Sequence, residues 1–268
     1  TIFAMPFAII GFFLAYISYK IEFLTFVLII LCMIFARNSA MAFNRYLDRK
    51  IDIKNPRTAE REIPSGKILP QKALIFVVLN SILFVLTTFF INRLVFLLSP
   101  VALFVVLFYS YTKRITALSH FVLGLGLSLA PIGAFLSVSG KFEFLPVLFS
   151  VIVLFWVSGF DIVYALQDYD FDKTEKLKSI PVLLGKKNAI VLSVILHIIV
   201  SLLVAFIGIY WKFGILYWIG SLCFIGLLVF QHTLVKAEDL SKIGLAFGTT
   251  NGIASVLFAL FTVFDIVL

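Results

Sequence analysis

Three polar residues in the second apolar stretch of the chain have types and spacing that could bind a cation. Asn44, Asp48 and Asp52 follow one another at intervals of four residues. On an α-helix this spacing places all three side chains on one face. Carboxylate and amide oxygens are the ligands that Mg²⁺ takes in proteins. The pattern therefore predicts one half of an oxygen-rich cation site.

A second acidic stretch lies much further along the chain, in the segment DIVYALQDYDFD. Asp161, Asp168 and Asp172 are separated by seven and then four residues, which again predicts one face of a helix. Asp170 would point to the opposite side, so we exclude it from the site. The second stretch predicts the other half of the same cation site.

Carboxylates that are crowded beside apolar segments repel one another unless something compensates their charge. Mg²⁺ does so, and it is commonly held by one or two carboxylates together with substrate phosphates. The alternative is a structural one, in which these acids pair with neighbouring basic residues such as Arg45, Arg49, Lys50 and Lys173. The candidate metal-binding residues from spacing alone are Asn44, Asp48, Asp52, Asp161, Asp168 and Asp172.

Basic residues follow the acidic ones and are suited to binding phosphate. Lys113 and Arg114 come directly after YSYT, at the end of the fourth apolar stretch. The loop after the first acidic stretch carries Lys54, Arg57, Arg61 and Lys67. Since Arg and Lys bind phosphate and stabilise negative charge on a leaving group, an organic diphosphate is the substrate class that this set indicates.

Arg37 lies seven residues before Asn44, two helical turns deeper in the same apolar stretch. A buried guanidinium needs an anion. The anion is either a carboxylate of the protein or the carboxylate of a substrate, and the residues leave both alternatives open.

The segments that must position these residues are strongly apolar. The 268 residues are 62% hydrophobic and 13% charged, and the mean hydropathy is +1.12. A soluble domain carries about 25% charged residues, so we predict an integral membrane protein with one all-α domain over residues 1–268. The apolar stretches do not alternate in the way that a β-barrel requires. We predict nine spans, at 2–18, 23–44, 72–91, 94–111, 118–138, 144–165, 188–209, 213–235 and 243–264.

The basic residues are distributed unevenly over the predicted loops. Of the 22 Lys and Arg residues, 17 lie in or beside the loops after spans two, four, six and eight. Because such residues are retained on the cytoplasmic side, both acidic stretches should face the cytoplasm of a cell (inner) membrane protein, with the C-terminus outside. The same explanation, together with anionic lipid, accounts for the net charge of +8 without nucleic acid.

The weak repeat, the histidines and the cysteines give three further indications. Both acidic stretches run through a charged loop to Ile-Pro, at Ile63 and Ile180, which indicates a weak internal repeat that would bring them face to face. The histidines His120, His197 and His232 are scattered, and we interpret each as structural. Cys32 and Cys223 show no metal-binding or disulfide spacing.

The segments MAFNRYLDRKIDIKNPRTAEREIPSG and DIVYALQDYDFD resemble the two signature motifs of the UbiA superfamily of intramembrane aromatic prenyltransferases. The resemblance extends to FAMPFAIIGFFLAY, YSYTKR and HFVLGLGLSLAPIGAFLSV. It implies nine helices around a central cavity with a cytoplasmic cap, and Mg²⁺-dependent transfer of a prenyl group from a polyprenyl diphosphate to an aromatic acceptor. The 4-hydroxybenzoate polyprenyltransferases and their menaquinone-route relatives are the most similar members.

The resemblance also implies roles for individual residues. The motif positions imply that Mg²⁺ and diphosphate are held by Asn44, Asp48, Asp52, Asp168 and Asp172. They also imply that Asp161 and Tyr164 face the reacting centre. Arg37 occupies the position associated with the carboxylate of the aromatic acid. The predicted catalytic residues are Asp161, Asp168, Lys113 and Tyr164, and the predicted substrate-binding residues are Asn44, Arg37, Arg45, Arg57, Lys113 and Arg114.

The implied mechanism is ionisation of the diphosphate followed by electrophilic substitution on the ring. Mg²⁺ and Lys113 would stabilise pyrophosphate, and Asp161 or the pyrophosphate would remove the ring proton. Acceptors other than 4-hydroxybenzoate remain open, namely a naphthoate, homogentisate, a chlorophyll-type ring or haem. A cation- or proton-coupled transporter is the alternative outside the enzymes, because buried carboxylates also serve transport.

Overall fold

The computed structural model describes residues 3–268, and this part of the chain is helical without strands. A 3₁₀ turn lies at Leu166–Asp168, and a π-helical segment, Leu245–Thr250, leads into the last helix of the chain. The predicted first span, 2–18, begins outside the described residues. The helices are α1 (Ala4–Tyr16), α2 (Phe23–Asp52), α3 (Pro70–Phe89), α4 (Arg93–Ile115), α5 (Ser119–Ser139), α6 (Phe144–Ala165), α7 (Tyr169–Thr174), α8 (Ile180–Tyr210), α9 (Ile215–Leu234) and α10 (Asn251–Val267).

The long helices have the length and composition of membrane spans. Within residues 3–268, eight helical segments are long and apolar enough to cross a membrane, and α1 is a shorter apolar helix. The predicted all-α polytopic fold with nine apolar helices is therefore confirmed. The helices differ from the predicted spans mainly where charged residues extend them, because hydropathy marks the apolar part of a helix and not its hydrogen-bonded end. Thus α2 continues to Asp52, and α8 begins at Ile180 with a break at Gly185.

The second acidic stretch is not one regular α-helix as predicted, although its three acids line a single pocket. Asp161 lies in α6, Asp168 in the 3₁₀ turn and Asp172 in the short helix α7. Leu166, at 1% exposure, packs with residues of α6 and α8 such as Ile162 and Ile180. The spacing of the acids could not show this interruption of the helix.

Aromatic side chains form the centre of the bundle. Trp156 of α6 is fully buried, and its ring lies 5.2 Å from Phe7 of α1 and 5.6 Å from Phe224 of α9. The helix α1 approaches α5 so closely that a Cβ added at Gly11 would lie 2.1 Å from the carbonyl oxygen of Pro131. Small residues at such crossings are typical of helix packing in membranes.

A buried polar network links α6, α8, α9 and α10. The Trp156 indole donates to Asn251 at 2.9 Å, and Asn251 donates to Gln231 at 2.6 Å. The Nε2 atom of His197 lies 3.1 Å from the Trp156 carbonyl oxygen, and its Nδ1 atom lies 2.8 Å from Nε2 of His232. These bonds satisfy polar groups in an apolar interior, which agrees with the structural interpretation of His197 and His232.

Candidate active site

The two acidic stretches meet in a pocket of about 170 Å³ at one end of the bundle. Its walls come from α2, α4, α5, α6 and α7 and from the loop 53–69, which follows α2. Arg57, Lys113 and Tyr164 also line the pocket, as predicted substrate or catalytic residues. The six predicted residues from the acidic stretches that line it are Asn44, Asp48, Asp52, Asp161, Asp168 and Asp172.

Asp48 is the most buried acid of the pocket, with 2% exposure. Its Oδ2 atom lies 2.6 Å from Lys113 Nζ, and its Oδ1 atom accepts from Arg114 Nη2 at 2.7 Å. Asn44 Nδ2 donates to Oδ2 at 3.3 Å, across the single helical turn that the spacing predicted. A buried carboxylate is stable only with such partners, so Lys113 and Arg114 supply the contacts that the burial of Asp48 requires where α2 and α4 meet.

Two arginines of the loop 53–69 hold the next two acids. Arg61 Nη1 donates to both oxygens of Asp52 at 2.9 and 3.1 Å. Arg57 binds Asp168 through two nitrogens, with Nε at 3.0 Å, and donates from Nη1 to the Tyr164 hydroxyl at 3.2 Å. Burial would lower the pKa of Arg57, but the hydrogen bonds and charge of Asp168 raise that pKa above its ordinary value. The loop is thereby attached to both acidic stretches.

Asp161 has a different partner from these three acids. Its Oδ2 atom lies 2.6 Å from Nδ1 of His120, and His120 is 4% exposed at the start of α5. Among the pocket acids that the structure describes, only Asp161 and Asp172 form no ion pair with Lys or Arg. The pocket therefore contains two carboxylates, Asp161 and Asp172, that no Lys or Arg side chain of the described residues neutralises.

The structure does not bring every predicted residue to the pocket wall. Arg114 contacts Asp48 but does not line the pocket, and Arg45 lies beside Glu62 at 3.9 Å. Arg37 is exposed on α2, contrary to the burial we expected, and within residues 3–268 it pairs with no carboxylate. Asp170 is exposed and lies outside the pocket, as its exclusion predicted.

Among the lining residues that escaped the sequence analysis, Asn55, Tyr109 and His120 carry groups that can bind or position a ligand. Asn55 donates to Asp168 at 3.0 Å and joins the loop to the second acidic stretch. Tyr109 lines the pocket from α4, and His120 contacts Asp161 although we had interpreted it as structural. The signal for Asn55 was its place between the first motif and Arg57. No local spacing identifies His120, because its partner lies 41 residues away.

An aromatic cluster continues from the pocket into the bundle. The Tyr164 ring stacks on Phe247 of the π-helical segment with 4.0 Å between centroids. Phe160 lies 5.3 Å from Phe247, and Phe3 lies 5.1 Å from Phe160. Apolar and aromatic walls exclude water beside a charged pocket, and aromatic faces attract cations.

The donor set fits a hard divalent cation that takes part of its ligands from a substrate. All the predicted ligands present oxygen, which Mg²⁺ prefers. Within residues 3–268, no three acidic, histidine or cysteine side chains are grouped closely enough to hold an ion by themselves. Phosphate and water oxygens would complete the coordination, as is common for Mg²⁺.

The fold and the pocket define a polytopic membrane protein with a charged site for an anionic substrate at the end of an apolar bundle. A model of the UbiA prenyltransferase family matches residues 4–262. The chain belongs to this family. This confirms the predicted family and the predicted class of enzyme, a prenyltransferase, over the transporter alternative.

Proteins with assigned names agree with the family. The chain is 32% identical over 235 residues to a 4-hydroxybenzoate octaprenyltransferase of Aliivibrio fischeri (strain MJ11), a match that covers 87% of this chain and 80% of that one. It is 30% identical to the protein of the same name from Paraburkholderia phymatum, over 84% of this chain and 78% of the other.

Solved structures share the whole fold. The apo structure of a UbiA homologue from Aeropyrum pernix K1 is 28% identical and superposes with a TM-score of 0.90, covering 98% of this chain and 97% of that one. A UbiA homologue from Archaeoglobus fulgidus, bound to DMAPP and Mg²⁺, is 22% identical with a TM-score of 0.78, covering 100% of this chain and 96% of the other. At that identity the second likeness concerns the fold.

Proposed function

We propose that this protein transfers a polyprenyl group from a polyprenyl diphosphate to an aromatic acid of the 4-hydroxybenzoate type, in quinone biosynthesis. The observation that carries the proposal is the meeting of both acidic stretches with Arg57, Arg61 and Lys113 in one pocket. A diphosphate needs cations and metal-binding oxygens together, and its long apolar tail needs a membrane interior. The names of the relatives support the aromatic acid.

Asp48, Asp52, Asp168 and Asp172, with Asn44, are the residues that would hold Mg²⁺ against the diphosphate. When bound, the ion supplies Lewis-acid stabilisation of the leaving pyrophosphate and a template for its oxygens. The two acidic stretches face each other across the pocket, so each can contribute one or two carboxylates without a closed cage of protein ligands.

The fixed cations are placed to change partners when the substrate enters. Arg57, Arg61 and Lys113 line the pocket, and each is attached to a carboxylate by direct contact. The phosphate oxygens of an entering diphosphate would be offered to these three side chains, and the carboxylates that they release would be free to hold Mg²⁺. Arg57 binds such oxygens with two nitrogens, as it now binds Asp168, and Lys113 stabilises the negative charge as the allylic C–O bond breaks.

The acceptor would bind toward Arg37, which does not line the pocket and lies two helical turns along α2 from Asn44. Of the two anions that the sequence left open, no protein carboxylate reaches Arg37 within the described chain. The exposed guanidinium therefore supports binding of the substrate carboxylate. The ring attacks the allylic carbon, and Asp161 accepts the proton from the substituted ring carbon. Tyr164 and Phe247 exclude water from the carbocation. A naphthoate presents the same carboxylate and is the alternative acceptor.

We also propose the placement of the protein in the cell. The 17 basic residues near the pocket-side loops favour a cell (inner) membrane orientation in which the pocket opens to the cytoplasm and the C-terminus lies outside. We interpret residues 1–268 as one catalytic domain surrounded by membrane lipid.

The test is prenyl transfer by the purified protein in liposomes. Geranyl or longer diphosphates are supplied with 4-hydroxybenzoate and, separately, with 1,4-dihydroxy-6-naphthoate, each with Mg²⁺ and with EDTA. We expect a prenylated acid that forms with Mg²⁺ and is lost with EDTA. Product from the naphthoate alone would replace the acceptor. If diphosphate does not bind even with Mg²⁺, the proposed site is wrong.

A further inference from the structure

His120 stands apart from the other partners of the pocket acids, because it is a neutral donor where the others are cations. Asp48, Asp52 and Asp168 are held by Lys or Arg, whereas Asp161 Oδ2 is held by His120 Nδ1 at 2.6 Å. None of the residues 3–268 donates a hydrogen bond to the other oxygen, Oδ1. Asp161 therefore keeps one oxygen for a ligand.

The hydrogen bonds of His120 define its tautomer. The backbone N–H of Ile180 donates to His120 Nε2 at 3.3 Å, so Nε2 is an acceptor and carries no proton. The ring proton is then on Nδ1 and is donated to Asp161. In a doubly protonated ring, the Nε2–H donor would face the N–H donor of Ile180, and the two would repel each other. This contact therefore favours the neutral ring.

His120 is also rigidly placed. It is 4% exposed, and the Ser158 hydroxyl of α6 lies 3.3 Å from its carbonyl oxygen. Through Asp161 and Ile180 it joins the start of α5 to α6 and to the start of α8. A donor fixed from three helices can hold one oxygen of a carboxylate in place while the other meets the substrate.

We propose that His120 is a positioning residue of the prenyl transfer: its Nδ1–H orients the Asp161 carboxylate so that Oδ1 accepts the proton of the acceptor ring. This inference rests on the proposed function. The allylic C–O bond breaks and pyrophosphate leaves with the electron pair, and the ring carbon bonds to the allylic carbon. The proton of that ring carbon passes to Asp161 Oδ1 and then to water in the pocket. His120 keeps its own proton throughout.

Two substitutions separate this role from a purely structural one. In His120→Asn the amide nitrogen takes the place of Nδ1 and can still donate to Asp161. In His120→Gln the amide oxygen takes the place of Nε2 and can still accept from the Ile180 N–H. A positioning role predicts that Asn retains kcat within about tenfold, whereas Gln loses roughly 100-fold, because misplacing a catalytic group costs about that factor. A structural role predicts the reverse order.

The readouts keep failure of this inference distinct from failure of the proposed function. For each variant we would measure kcat, KM for the diphosphate and the thermal midpoint. We would also measure the Mg²⁺-dependent binding of a thio-diphosphate analogue, whose allylic C–S bond does not break. The KM and the binding should stay within about threefold of the wild-type values, since His120 touches no predicted diphosphate ligand. A wild-type protein without turnover refutes the function itself. An active wild type with equal losses in both variants, or with Gln the better one, overturns the role of His120.

A ring-nitrogen spectrum tests the tautomer directly. His197 Nε2 faces the Trp156 carbonyl oxygen, an acceptor, so its proton is on Nε2. His197 Nδ1 is then an acceptor, with His232 Nε2 at 2.8 Å and Gln231 Nε2 at 3.1 Å from it. The ¹⁵N spectrum of histidine-labelled protein near neutral pH should show an Nδ1–H ring that is absent from the spectrum of His120→Gln. Three Nε2–H rings would overturn the proposal.

Discussion

The acids of the pocket differ in the side chains that they contact. Asp48 is neutralised by Lys113 and Arg114, and it is buried to a degree that a lone carboxylate would not tolerate. Asp170, only two residues from Asp168, is exposed and lies within 3.4 Å of Lys186 at the surface. Asp48 is therefore the functional residue to test, and Asp170 is its matched control.

Asp48→Asn keeps the shape of the side chain and removes its charge. We expect turnover to fall by at least about 100-fold, because a metal-binding oxygen is lost and Lys113 no longer faces an anion. Prenyl transfer in liposomes with normalised protein measures the effect. Asp170→Asn, outside the pocket, should leave turnover unchanged. Full activity in Asp48→Asn would remove Asp48 from the site.

Arg37→Ala tests the acceptor side of the site. A hydrogen bond to a charged group contributes about 1.5–3 kcal/mol, which corresponds to a rise of roughly tenfold or more in KM for the aromatic acid. The KM for the diphosphate should change little. The control is Arg93→Ala, which removes an exposed cation at the start of α4, far along the chain from both motifs. An unchanged KM for the acid would return Arg37 to a structural role.

At the scale of elements, the loop 53–69 is the part that closes the pocket. Arg57 and Asn55 bind Asp168 of the second acidic stretch, and Lys54 pairs with Glu175 just beyond that stretch. Most residues of the loop are exposed, and segments with few buried side chains open locally at low free-energy cost. The conformation of this loop should therefore depend on Arg57.

Arg57→Gln should speed tryptic cleavage after the exposed Lys54 and Lys67 several-fold, because the loop loses its paired contact with Asp168 and its bond to Tyr164. Limited proteolysis followed by mass spectrometry gives the cleavage rates at each site. Lys236→Gln removes an exposed cation from the loop after α9 and should leave those rates as in the wild type. Equal rates in both variants would mean that other contacts hold the loop.

At the scale of the whole molecule, the bundle depends on close approaches between helices that carry no charge. Gly11 of α1 faces the backbone of Pro131 in α5, and α1 is packed between α5 and α10. Because α1 also contributes Phe7 to the aromatic centre, its position determines how the remaining helices pack. Stability at this crossing comes from shape, since burial alone gives helices in lipid no hydrophobic drive to associate.

Gly11→Ala should lower the stability of the bundle. The added Cβ would lie 2.1 Å from a backbone oxygen, so α1 must move, and overpacking of this kind costs about 1–3 kcal/mol. The thermal midpoint of the purified protein in detergent measures the effect. Gly133→Ala in α5 is the matched control, because its Cβ would meet no atom within 4 Å. Equal midpoints for the two variants would show that the crossing adapts freely.

Much of this protein follows from features that are local along the chain. The residue types and four-residue spacing of Asn44, Asp48 and Asp52 placed them on one helical face, because helix geometry repeats every few residues. Long apolar runs predicted the membrane helices, since the thickness of a bilayer sets their length. Motif resemblance added the family, and these three sources were sufficient to predict the two facing acidic stretches.

Tertiary structure alone decided the partners. The second acidic stretch is divided over α6, the 3₁₀ turn and α7, although its three acids line one pocket. The pairing of His120 with Asp161, across 41 residues, and of Asn55 with Asp168, across 113, depends on how whole helices and a loop pack together. Sequence spacing reports neighbours on one helix. Contacts between helices result from the packing of many side chains at once, and no single spacing records them.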